Sequence, residues 1–316
     1  MNDLQLGLTI WPQNTTWAAQ RDLAIRAEAL DYDQIWTWDH FLPIIGDPSG
    51  ANFECWQILA AWGALTSRIR VGALVSSITY RHPAVIAKMA ATLDHITDGR
   101  AILGLGAGWF QLEHDQYGLH FGTAGERLAR LAEGTAITRM MLDQPTASFE
   151  GRYYQVRDAL AEPKPVQARL PIMIGGGGER KTLRITAQYA DYWNGFGTPE
   201  DAAHKLNVLR QHCTDVGRDP NEIVPTIMVN VIVRDNAAEV ADVKKRLVEH
   251  NRISAPPPAS VASVEGDPDT VAEGLAAYWR VGVRGLIARM GAPYDDETME
   301  RLATEVRPRL RALING

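Results

Sequence analysis

Apolar, β-branched segments stand at residues 4–10, 34–38, 70–75 and 101–105, beginning roughly thirty residues apart. That is the spacing of one strand plus one helix and its two loops. Between them the apolar positions take a helical period. Trp17, Leu23, Ala27 and Leu30 follow Thr15 or Thr16 as a helix cap, and Phe53, Trp56, Ala60 and Gly63 line up behind Asn52. Pro83 fits the first turn of a third helix whose Ile86, Met89, Ala90, Leu93 and Ile96 make one stripe, ending at Asp98-Gly99. The second half adds strands at 171–175, 191–196, 226–233 and 285–290, with helices at 180–189, 199–216, 237–250, 269–281 and 295–310. Eight strands alternating with helices predict an α/β fold, a (β/α)8 TIM barrel, as a single domain over residues 1–316. An open doubly wound sheet has fewer strands and would leave the last ones without partners.

Two stretches interrupt the rhythm. Residues 111–170 form an insertion with a helix at 123–142 and a hairpin at 148–156 that turns at Glu150-Gly151. Residues 254–268 are Pro-rich and predict an extended loop. Long loops at the C-terminal ends of barrel strands tend to be lids or pocket walls.

Composition narrows the function. Hydrophobic residues are 46% and charged residues 22% of the 316, which excludes disorder and coiled coil as the main state. Lys plus Arg number 32 against 38 for Asp plus Glu, and no basic cluster offsets the net charge of −6, so nucleic acid is not the expected partner. Cys55 and Cys213 match neither a disulfide framework nor a zinc spacing. The sequence opens without a secretory leader and has no apolar run of ~20 residues, so a cytoplasmic protein acting on a small molecule, without a membrane, is expected. The Trp56, Leu59 and Trp62 stripe suits either a homodimer contact or packing against the barrel.

In a barrel of this kind the chemistry sits where the strands end. Trp11, Asp39-His40, Val75-Ser76-Ser77, Trp109, Trp193-Asn194 and Arg289 fall there, and aromatic walls with few polar groups suit a flat conjugated ligand. Gly175-Gly176-Gly177-Gly178 stands between a strand and a helix, a place for main-chain amides to hold a phosphate, or for a tight turn. Gly104-Leu105-Gly106-Ala107-Gly108 lacks the dinucleotide spacing and reads as close backbone approach to a ligand. Asp39 offers an acceptor for ring N–H groups beside His40, a residue type that can take or give a proton. Glu113 offers a second acid or base, or a solvated side chain. His114 is expected on a surface segment, Arg289 on an anionic group of the substrate, and Arg180-Lys181 on a cofactor tail or in solvent. No metal-binding motif, nucleophile elbow or P-loop is present in the sequence.

Taken in order, a distinctive series emerges. It runs through Trp38-Asp39-His40, Tyr80-Arg81-His82-Pro83-Ala84, Leu93-Asp94-His95-Ile96-Thr97-Asp98-Gly99-Arg100, Gly104-Leu105-Gly106-Ala107-Gly108-Trp109, Phe149-Glu150-Gly151-Arg152-Tyr153 and Gly175-Gly176-Gly177-Gly178-Glu179. The series resembles the bacterial luciferase-like monooxygenase superfamily, and within it the coenzyme F420-dependent oxidoreductase branch, over about residues 4–235. The resemblance implies a ring across the strand ends and a phosphate near Gly176, Gly177 and Gly178. It implies a non-proline cis peptide at Leu74–Val75, followed by Ser76, backing the ring. Asp39, Gly106 and Ala107 would touch the ring or its tail, His40 would manage the proton, and Glu113 would assist. The implied reaction is hydride transfer between the deazaflavin F420 and a small organic substrate. The alternatives are an FMN-dependent monooxygenase and a non-catalytic flavin or deazaflavin carrier.

Overall fold

The computed structural model describes residues 4–254 and 261–316. Its strands are β1 (Gln5–Ile10), β2 (Gln34–Thr37), β3 (Arg70–Ala73), β4 (Ser76–Ser77), β5 (Ala101–Gly106) and β6 (Ala147–Glu150), then β7 (Gln155–Ala159), β8 (Ile172–Gly175), β9 (Tyr192–Gly195), β10 (Val224–Val233), β11 (Ser263–Gly266) and β12 (Gly285–Met290). Parallel pairing runs β1-β2-β3-β5-β8-β9-β10-β12 and returns to β1, closing an eight-stranded TIM barrel. The helices are α1 (Trp17–Ala29), α2 (Cys55–Leu65), α3 (Pro83–Ile96), α4 (Gln111–Tyr117), α5 (Ala124–Asp143) and α6 (Thr182–Tyr189), then α7 (Pro199–Asp215), α8 (Ala237–His250), α9 (Pro268–Arg280), α10 (Asp296–Arg301) and α11 (Arg307–Asn315). None is long and apolar enough to cross a membrane.

The two-residue period of each strand sorts its side chains between two cores. On β1, Leu6, Leu8 and Ile10 join the layer between barrel and helices, which leaves Thr9 in the lumen, where its hydroxyl meets Met228 Sδ of β10 at 3.5 Å. Trp36, Ile102, Met173, Tyr192 and Ile287 fill the lumen itself. Trp36 needs Gly72 beside it, since a Cβ there would stand 2.5 Å from the indole. Below this plug the polar groups saturate one another. Trp36 Nε1 donates to Gln34 Oε1 at 3.1 Å, Gln34 Nε2 to Gln5 Oε1 at 2.6 Å, and Arg70 Nη1 to the Tyr192 hydroxyl at 3.3 Å.

Local signals account for most boundaries. Thr16 caps α1 by accepting from the Ala19 amide, Thr123 caps α5, and Pro83 opens α3. The insertion between β5 and β8 holds α5 and the β6–β7 hairpin as expected, with a turn that spans Gly151 to Tyr154.

Several expectations need correction. The cap of α2 is Glu54, not Asn52, because the Asn52 amide donates to the His40 carbonyl instead. The third strand does not run through to 75: it stops at Ala73 and resumes as β4. The insertion also contains α4, which starts without a side-chain cap and ends at Gly118 with φ 68°. The final helix is interrupted by a π-helical turn at Leu302–Val306. Of the Pro-rich stretch, residues 255–260 lie outside the described residues, and residues beyond them form β11 against β10 rather than a loop throughout. Trp56, Leu59 and Trp62 are buried in the layer between helices and barrel, so that stripe is taken up by the chain's own packing.

Candidate active site at the mouth of the barrel

β2 delivers Trp38, Asp39 and His40 into the mouth, all buried. His40 Nδ1 lies 2.6 Å from Glu113 Oε1, and Glu113 has no exposed surface at all. The other oxygen of Glu113 accepts the Phe41 amide at 2.8 Å, and the Tyr80 hydroxyl donates to Oε1. A carboxylate surrounded by donors is an acceptor, which fixes the His40 proton on Nδ1 and leaves Nε2 as the nitrogen that can take or give one. Trp109 and Phe110 stand edge-on to the imidazole at 5.6 and 6.0 Å between ring centres. Glu113 reaches this position because α4 folds back over the mouth. His114 holds it there, with Nδ1 against the Phe110 carbonyl at 2.8 Å and Nε2 against Thr79 Oγ1 at 2.7 Å. His114 is therefore buried, not on the surface, and Glu113 is not solvated.

Asp39 is committed to a partner within the chain. Arg81 grips both its oxygens, at 2.6 and 3.2 Å, and also reaches Glu54 at 2.6 Å. Burial opposes the charge on Arg81, but Asp39 and then Glu54 outweigh it and hold the guanidinium above its ordinary value. Each Asp39 oxygen retains a lone pair able to accept once more.

The peptide Leu74–Val75 is cis. Val75 then turns its side chain across the ends of β5 and β8, where a Cβ would come within 3.0 Å of it at Gly104, 2.5 Å at Gly106 and 2.9 Å at Gly175. These glycines make room for Val75, and Gly104 also for the Ala73 carbonyl. Ser76 is fully buried and its hydroxyl accepts from Trp56 Nε1 at 3.1 Å, within the helix layer. Ala107 is half-buried at the rim. In the β8–α6 loop, Gly176 has φ 121° and its amide is spent on the Asn194 carbonyl. The amides of Gly177 and Gly178 have no acceptor among the described residues. Arg180 and Lys181 are exposed, while Lys205 approaches within 3.6 Å of where a Gly177 Cβ would stand. Across the lumen, Trp11 and Trp38 lie 5.1 Å apart and the Arg289 guanidinium lies 4.7 Å from the Trp11 ring. Trp11 Nε1, Trp38 Nε1 and Arg289 Nε are buried without partners among the described residues.

Residues 5–285 match the family described as Luciferase-like monooxygenase. The chain belongs to this family. It is 31% identical to the F420-dependent glucose-6-phosphate dehydrogenase of Microbacterium testaceum (strain StLB037), over 92% of each chain. It is 33% identical to the pyrimidine monooxygenase RutA of Caulobacter sp. (strain K31) over 61% of this chain and 54% of that protein, so it spans about half the length of that relative. An F420-dependent secondary alcohol dehydrogenase solved with an F420-acetone adduct superposes with a TM-score of 0.83, covering 98% of this chain and 99% of that one. At 17% identity this is a likeness of fold.

The luciferase-like family uses F420 or FMN, each a flat ring with a phosphorylated tail. The mouth fits such a group. The amides of Gly177 and Gly178, without an acceptor among the described residues, suit an anion, and Lys205 nearby is paired with Glu179. Leu74 and Val75 offer an apolar surface, and the lumen keeps buried donors that no atom of the described residues satisfies. Of the site residues read from sequence, His40 and Glu113 meet directly. Tyr80 and Arg81, which orient Glu113 and Asp39, were read only as part of a motif. Their position just past the end of the third strand was the available signal.

Proposed function

We propose that this luciferase-like oxidoreductase uses F420 and transfers a hydride between it and a small organic substrate. The observation that carries the reading is the His40–Glu113 pair: a buried carboxylate fixes one ring nitrogen as donor and turns the other free, in a mouth walled by Trp38, Trp109 and Phe110. Bound F420 supplies a carbon centre that gives or takes a hydride. His40 Nε2 takes or delivers the accompanying proton, and Glu113 stabilises the imidazolium when the ring is doubly protonated. Tyr80 and the Phe41 amide hold Glu113 in place, Val75 and the amides of Gly177 and Gly178 hold the cofactor, and the tryptophans exclude water. The 92% coverage in both directions with an F420-dependent dehydrogenase favours this cofactor. The partial match to a pyrimidine monooxygenase, at slightly higher identity, supports the FMN-dependent monooxygenase as the second reading.

Titrating the purified protein separately with F420 and FMN, followed by their fluorescence, tests the choice. Binding of F420 at least roughly tenfold tighter, equivalent to about 1.4 kcal/mol, is expected. A preference for FMN together with oxygen-dependent turnover overturns the reading.

A further inference from the structure

Arg289 stands on the lumen face of β12, since Ile287 two residues before it lies in the interior cluster while Leu286, Ala288 and Met290 pack outward. Its Nη1 donates to Asn230 Oδ1 at 3.2 Å, and the Asn230 amide is turned the other way, toward Ser263. Nε is buried with no acceptor, and Nη2 has none among the described residues. Nor does any carboxylate among those residues lie within 4.0 Å of the guanidinium. Burial pulls Arg289 from its ordinary value down to about 10, so it is still charged at neutral pH. A buried charge without a counter-charge is costly, and such costs gather where a ligand repays them.

The neighbours of Arg289 share the deficit. Trp11 lies under the guanidinium and 5.1 Å from Trp38, and both indole N–H groups are buried without acceptors. A Cβ at Gly291 would stand 2.9 Å from Trp11 Cε3, so the edge bearing Nε1 is turned away from that side. Trp38 continues the wall to His40, 6.5 Å away between ring centres. One side of the mouth therefore runs from a cation without a counter-charge among the described residues, along two flat apolar faces that carry unused donors, to the His40 imidazole. An acceptor with negative charge is missing from it, and the flat faces between suit a planar body.

We propose that Arg289, with Trp11 and Trp38, seats the carboxylate of a small planar organic acid, and that such acids are the substrate class of this enzyme. The proposal rests on the hydride-transfer reading above, and it places the acid's reacting centre toward His40. The Nε–Nη2 edge of a guanidinium receives a carboxylate through two parallel hydrogen bonds, a geometry that lysine does not reproduce.

Benzoate and its neutral counterpart benzamide serve as probes, with tryptophan fluorescence of the full chain as the readout. Benzoate is expected to bind saturably and at least tenfold more tightly than benzamide. Arg289→Met and Arg289→Gln should each weaken benzoate roughly 10- to 100-fold, leave benzamide unchanged, and keep the affinity for F420 within about twofold. Arg289→Lys should show an intermediate loss. Equal binding of the two probes, no saturable benzoate binding to the wild-type protein, or full benzoate affinity in a variant that still binds F420 each overturns the proposal. If the wild-type protein binds no F420 yet its benzoate affinity depends on Arg289, the carboxylate seat stands and the cofactor reading falls.

Discussion

At the N-terminal end of the barrel lumen, Gln5, Gln34, Trp36, Arg70 and Tyr192 hydrogen-bond to one another, and Arg70 is further anchored by Gln167. At the C-terminal end, Trp11 and Trp38 are buried and Arg289 half-buried, and they leave N–H groups unused among the described residues. Each unsatisfied buried donor costs about 1–3 kcal/mol, so the two ends differ by more than detail. The closed end uses its polar groups to hold the strands. The open end leaves these donors unpaired among the described residues, and there the satisfied groups, Glu113 above all, serve to orient a neighbour. A change at the open end should therefore alter chemistry at little cost in stability, and a change at the closed end should do the reverse.

The largest effect expected is at the open end. His40→Ala should lower turnover roughly 10²- to 10⁴-fold, the range for loss of a general acid or base, while F420 affinity and the thermal midpoint stay close to wild type. Glu113 remains satisfied in that variant by the Phe41 amide and the Tyr80 hydroxyl, so no buried carboxylate is orphaned. Steady-state kinetics beside a thermal melt would decide it. Wild-type turnover in His40→Ala would remove the histidine from the mechanism.

Next in size is Trp36→Ala at the closed end. The indole is 1% exposed and fills the lumen against Gly72, so its loss should cost about 3–5 kcal/mol in urea unfolding. Cofactor affinity per folded molecule should be unchanged. A variant that unfolds like wild type but loses F420 would reverse the assignment of the two ends.

The same contrast explains what the sequence could and could not disclose. Strands and helices were legible because alternation, 3.6-residue spacing and start signals such as the Thr16 cap and Pro83 in a first turn act within a few residues. α4 was not, being seven residues long with no side-chain cap. His40 and Glu113 were both legible as candidates, but their contact joins residues 73 apart in the chain, and Tyr80 joins them across 33. The glycines at 104 and 106 gave a true signal of close approach, but not that the Ala73 carbonyl and the side chain of Val75 come this near, since Val75 arrives there only after the irregular turn between β3 and β4. Asn52 was credited with a cap that Glu54 provides, because both residue types accept helix N–H groups and only the loop's path decides between them.

The smallest effect separates two histidines near the same mouth. His82 Nδ1 accepts the Ala84 amide at 3.2 Å and caps α3, a role that requires the neutral ring, and burial holds its pKa below the ordinary 6.5. The unfolded chain thus takes up a proton near pH 6.5 while the folded chain still resists it. Stability conferred by the cap is full above that pH and declines as pH falls below it, levelling off once the folded form is also protonated. His82 is exposed, so solvent screening limits the change to roughly a few tenths of a kcal/mol. His82→Asn keeps an acceptor at the cap but cannot titrate, and its thermal midpoint should fall less than that of wild type between about pH 7 and 5. Its pH–rate profile should match wild type, because His82 binds helix backbone whereas the proposed proton carrier is His40. Identical midpoint slopes in the two proteins would remove His82 from the pH dependence, and an altered rate profile would move it into the site.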